Sequence, residues 1–110
     1  MHKKNLEIIR QLNDCANECN QCLSKALDEV DVSMFARCIE LDRECADICL
    51  LTASFLARDS EHAHELMQLC AKICDECADE CAKHQDEHCK RCAEVCRACA
   101  DVCIGHIAVH

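Results

Sequence analysis

Cys70-Ala71-Lys72-Ile73-Cys74-Asp75-Glu76-Cys77-Ala78-Asp79-Glu80-Cys81 decides how this chain is read. Its four cysteines are spaced by four, three and four residues. Residues three and four apart share one face of an α-helix, so the four thiols form one stripe. The same rhythm returns at Cys92, Cys96, Cys99 and Cys103. Its unit is the phrase Cys-Ala-x-x-Cys, which occurs six times, at Cys15–Cys19, Cys45–Cys49, Cys70–Cys74, Cys77–Cys81, Cys92–Cys96 and Cys99–Cys103. Cys22, Cys38 and Cys89 complete the fifteen cysteines. The alanine recurs in all six phrases, and a small side chain beside the stripe lets neighbouring helices approach closely.

Working outward, the composition supports helices and little else. The chain has no proline, one glycine, no tryptophan or tyrosine and only two phenylalanines. Strands favour β-branched and aromatic residues, and sheets need turn residues. The expected fold is all-α. Four helices are predicted, over roughly 3–29, from the Asp31-Val32-Ser33 cap signal to about 57, from Arg58-Asp59-Ser60 to about 83, and from Asp86, a predicted N-cap, to about 107. Connections this short make neighbours antiparallel, predicting one up-down-up-down four-helix bundle domain over residues 1–110.

The stripes predict the inward faces. Helix one presents Ile8, Leu12, Cys15, Cys19, Cys22 and Ala26, and helix two Met34, Cys38, Leu41 or Asp42, Cys45, Cys49, Thr52 and Leu56. Helix three presents Met67, Cys70, Cys74, Cys77, Cys81 and His84. Helix four presents Cys89 or His88, Cys92, Cys96, Cys99, Cys103, His106 and His110. One end of the bundle is expected to carry an apolar plug of Leu6, Ile8, Leu12, Leu51, Phe55, Leu56, Leu66, Leu69, Ile104 and Ile107. The other is expected to be a more polar mouth holding Ala26, Met34, His84, His88 and Cys89. Ile39, Ile48, Leu50, Leu69, Ile73 and Val95 flank or leave the stripes.

The net charge of −9 disfavours nucleic acid and anionic membrane surfaces and suits a protein that accumulates cations. Residues 1–13 read as an amphipathic helix start rather than an export segment, and no run is long enough to span a bilayer. The expectation is a cytosolic protein with reduced thiols. An odd number of cysteines also argues against a disulfide framework.

Soft thiolates in stripes call for a soft ion. Buried cysteine can be a mere small core residue, but fifteen at helical register exceed that role. A dithiol redox enzyme would carry one C-x-x-C beside a βαβ pattern; here there are four such pairs and no predicted strand. Iron–sulfur spacing and its proline are missing. Zinc or cadmium remains open as a thiolate buffer, although zinc takes four ligands per ion and would leave the continuing stripe redundant. Copper(I) fits best, because it accepts two or three thiolates and a shared sulfur can join neighbouring ions. No Ser/His/Asp set and no glycine-rich phosphate loop is present, so binding rather than catalysis is expected.

The repeated CAxxCxxC units, the Arg58-Asp59-Ser60 turn and Cys81-Ala82-Lys83-His84-Gln85-Asp86-Glu87-His88-Cys89 resemble the cytosolic bacterial copper storage proteins over nearly the whole chain. That resemblance implies a four-helix bundle filled with Cu(I), the six Cys-x-x-x-Cys pairs as primary sites, Cys22, Cys38 and Cys89 completing others, and a homo-oligomer, typically a tetramer. Leu41 and Met67 stand where the stripe could have carried cysteine, which bears on capacity rather than function.

Histidine adds candidates at both ends. His84 and His88 sit at the predicted mouth, and His106 and His110 continue the stripe beyond Cys103 as candidate ligands. His2, His62 and His64 are expected to be solvated. Met67 is read as core filler, while Met34, near the mouth, could be either filler or soft ligand.

Overall fold

The computed structural model describes the backbone of residues 3–109 and the side chains of residues 5–108. His2 and His110 lie outside the described residues. Four helices occur in order: α1 (Lys3–Leu27), α2 (Ala36–Ala57), α3 (Ala63–Cys81) and α4 (Glu87–Val109), with a 3-10 turn at Val32–Phe35 before α2. There is no strand among the described residues. Each helix packs on its sequence neighbours, and α4 closes the ring against α1, whereas diagonal pairs stay apart. The rod measures 45 × 20 × 19 Å.

The junctions explain the departures from the predicted boundaries. The Asp31-Val32-Ser33 signal starts the 3-10 turn rather than α2 itself, and the Ser33 hydroxyl donates to the Asp31 carboxylate at 2.6 Å. After α2 the Ser60 N–H bonds the Phe55 carbonyl at 3.0 Å and the Asp59 N–H bonds the Leu56 carbonyl at 3.1 Å. Those two bonds make a Schellman ending, in which the residue after the cap takes the left-handed conformation. Here that residue is Asp59, with φ at 52°, where glycine is the usual occupant. Ser60 then accepts the His62 N–H on its hydroxyl, which delays α3 to Ala63. At the start of α4 the Asp86 carbonyl accepts the Cys89 and Lys90 N–H groups, as an N-cap residue's should.

All fifteen cysteines are unbridged thiols at most 1% exposed. They occupy the centre of the rod together with Ala16, Ala46, Ala71, Ala78 and Ala100, five of the six alanines that follow a phrase-opening cysteine. Ala93, the sixth, is partly buried against the same core. The far end, where α1 and α4 have their outer termini, is closed by buried Ile8, Leu12, Leu56, Ala63 and Met67. Thr52 is buried there too, its hydroxyl donating to the Ile48 carbonyl at 2.7 Å.

The plug is smaller than the sequence suggests. Leu6, Leu51, Leu69 and Ile104 are 41–51% exposed, because each sits one helical step off the stripe, where the face turns outward. Met34 is corrected more sharply: it is 65% exposed and belongs to the 3-10 turn, whose three-residue period rotates it off the α2 stripe. Phe35 takes the inward position instead and is buried.

Candidate metal centre

Side chains at stripe positions of four antiparallel helices converge on one axis. The sulfurs therefore meet across helices as well as along them. Cys38–Cys81, Cys19–Cys96 and Cys45–Cys74 lie 3.4–3.5 Å apart between helices. The same-helix pairs Cys92–Cys96, Cys70–Cys74 and Cys45–Cys49 stand at 3.8–4.0 Å. Further cross-helix pairs stand at 3.7–4.0 Å, so the sulfurs meet across helices at least as closely as along the Cys-x-x-x-Cys pairs that the sequence displays.

These groups form a ladder. From the mouth inward come Cys22/His88/Cys89, then Cys22/Asp42/Cys81/Cys92, then Cys19/Cys77/Cys92/Cys96, then Cys15/Cys19/Cys45/Cys96, then Cys15/Cys49/Cys74/Cys99, each group's ligand atoms lying within 4.8 Å of one another. Consecutive groups share at least one sulfur: Cys22, Cys92, the pair Cys19 and Cys96, and Cys15. Cys70 on α3 and Cys103 on α4, both fully buried, continue the stripes toward the far end. A ladder with shared rungs can carry bridged ions along about 20 Å of the axis, the rise of α4 from Cys89 to Cys103.

Asp42 was legible as a stripe position but not as part of the site. It is fully buried, and its carboxyl group accepts thiol donors from Cys77 and Cys92 at 3.2 Å and, at 3.6–3.7 Å, from Cys38 and Cys81. Burial above all pushes its pKa up to about 9. The signal in the sequence is an aspartate four residues from Cys38 and three from Cys45, on a face of thiols. Burial pushes the Cys89 thiol up to about 12, with Cys38 adding to it. Cys38 is held down to about 3 by the thiols of Cys22 and Cys81 that hydrogen-bond to it.

At the mouth, His88 is buried, with Nδ1 at 3.3 Å from Cys22 Sγ and 3.5 Å from Cys89 Sγ. Its Nε2 lies 3.2 Å from Glu29. A carboxylate that accepts the Nε2–H hydrogen bond makes Nδ1 the lone-pair nitrogen facing the sulfurs, as in carboxylate–histidine–metal arrangements. His84 lies farther out, its described partners being Glu80 at 3.3 Å and the Phe35 ring, stacked at 4.7 Å. Phe35 also meets the His88 ring at 5.9 Å, so one aromatic ring braces both histidines. A cavity of about 400 Å³ opens beside them, lined in part by Glu29, Asp31, Met34, Phe35, His84 and Asp86. At the opposite end His106 is half-buried against His64.

A bundle whose axis is a shared ladder of thiols, with an oxygen and an imidazole near one end, defines a multi-ion binder of soft metal. The comparisons with known proteins specify which. The copper storage protein family model matches residues 1–108, and the chain belongs to that family. It is 41% identical to Cu(I)-bound copper storage protein BsCsp3, with a TM-score of 0.90 over 94% of this chain and 97% of that one. It is 36% identical to a cytosolic copper storage protein from Streptomyces lividans carrying five coppers, with a TM-score of 0.93 over 96% of this chain and 93% of the other. An uncharacterized cysteine-rich protein, YhjQ, of Bacillus subtilis is 46% identical over 77 residues, covering 70% of this chain and 71% of that protein.

Proposed function

We infer that this chain stores copper(I) on the thiolate ladder inside its own core, and that it binds rather than catalyses. The observation that carries the reading is the run of buried four-ligand groups joined by common sulfurs. Copper(I) is satisfied by two or three thiolates, so each shared sulfur can serve two ions and the ion count can approach the thiol count. Zinc takes four ligands per ion, so even with shared thiolates the same sulfurs would hold far fewer ions.

The exchange also suits a dry core. Each Cu(I) that enters displaces a thiol proton, so one positive charge replaces another and the buried net charge does not grow. All fifteen cysteines would take part. Asp42 would contribute an oxygen to the Cys22/Cys81/Cys92 group. His88 would receive copper at Nδ1, and His84 would guide ions through the acidic cavity beside it. His106 would act at the other end. Met34, exposed on the cavity wall, offers a thioether on the way in.

We read the 110 residues as a single functional unit working in the cytoplasm. Among the described residues no helix is long and apolar enough to cross a membrane. Exposed Leu50, Leu51, Leu69 and Ile104 support a homo-oligomer, a tetramer by family resemblance.

The test is an anaerobic Cu(I) titration of the reduced chain against a chromogenic chelator, with proton release followed in parallel. Uptake on the order of ten ions per chain, with about one proton released per ion, is the expected result. Saturation at one to three ions would overturn storage.

A further inference from the structure

The far end is plugged unevenly: α1, α2 and α3 supply buried apolar groups, whereas no described apolar residue of α4 outward of Cys103 is buried. On α1 and α2 the thiol stripes run out into Ile8 and Leu12 and into Thr52 and Leu56, none of which is a soft ligand. On α4 no such interruption occurs: Cys96, Cys99, Cys103 and His106 follow one another at spacings of three, four and three. On α3 the residues outward from Cys70 are Met67, fully buried, and His64, half-buried. His64 and His106 meet edge to face, their ring centroids 5.7 Å apart and their planes at 85°.

That separation has a chemical meaning. Two imidazole nitrogens at ~2.0 Å from one ion place their ring centroids about 5–6 Å apart, the angle at the metal setting the value. One helical step inward come Met67 and then Cys70 on α3 and Cys103 on α4, all fully buried.

We propose that His64 and His106 form a second copper(I) port at the far end, handing ions by way of Met67 to Cys70 and Cys103. The proposal rests on the storage reading. No electron changes hands: Cu(I) leaves two neutral imidazole nitrogens, forms a bond to sulfur, and the thiol proton passes to water. The port gives the inner end of the ladder access that does not require every ion to travel the whole column from the mouth.

The experiment is stopped-flow transfer of Cu(I) from its bicinchoninate complex to the full reduced chain without oxygen. Wild type, H84Q/H88Q, H64Q/H106Q and the quadruple variant are compared, with helix content checked by circular dichroism. H84Q/H88Q should keep a loading phase that the quadruple variant slows at least threefold. A quadruple variant that loads within threefold of H84Q/H88Q overturns the port. A wild-type count of only one to three ions marks failure of the storage reading instead. The port is then judged by NMR in excess Cu(I): His64 and His106 ring signals shifting together support it, and unmoved signals overturn it.

Discussion

The two ends of this bundle are held together by different chemistry. At the far end Leu12 and Met67 are fully buried and Ile8 and Leu56 nearly so, and contacts there are apolar. At the mouth the inward groups are Cys22, Cys38, Asp42, His88 and Cys89, which touch through sulfur, oxygen and nitrogen. A buried leucine contributes roughly 1.5–3 kcal/mol, whereas a neutral hydrogen bond nets about 1 kcal/mol. The metal-free protein therefore takes its stability mainly from the far end. The mouth is the end that bound metal can tighten most. A store built this way stays folded when empty and keeps its adaptable groups where ions arrive.

The largest test of that contrast is Leu12→Ala. Truncating a fully buried leucine should cost about 2–5 kcal/mol in urea unfolding of the metal-free protein. Copper loading should offset part of the loss, since the assembled ladder binds ions more tightly than the same thiols on an unfolded chain. A loss below 1 kcal/mol would break the picture of a far end that carries the apo fold.

Asp42→Asn probes the mouth half. Because Asp42 is raised in the folded state, to about 9, its contribution is complete below the unfolded value near 4 and is lost as pH rises toward 9. Wild type should lose stability relative to Asp42→Asn between pH 5 and 8, by at most about 1.4 kcal/mol per pH unit. Parallel pH profiles for the two would show that Asp42 ionises as freely in the bundle as in the unfolded chain.

The smallest effect is at the α2–α3 turn. Asp59→Gly relieves a left-handed φ of 52° but loosens the unfolded chain, for a net gain of about 0.5 kcal/mol in thermal unfolding. No gain, or a loss, would assign the turn's stability to the Asp59 side chain, which Asn5 approaches at 3.5 Å.

The sequence by itself determined the four helices, the thiol stripes and the soft-metal chemistry, because a three-four spacing leaves a helix only one way to align its cysteines. It also marked Leu12, Leu56 and Thr52 as inward. Tertiary structure alone decided which sulfurs become neighbours. Periodicity orders residues along one helix, while the distance between Cys38 and Cys81 depends on how two helices are staggered. The same limit hid Asp42, whose meaning lies in the thiols that α3 and α4 bring to it. It hid Phe35 as the brace of two histidines, and His64 as the partner of His106. A stripe specifies the face of each helix; only the relative height of four helices converts faces into sites.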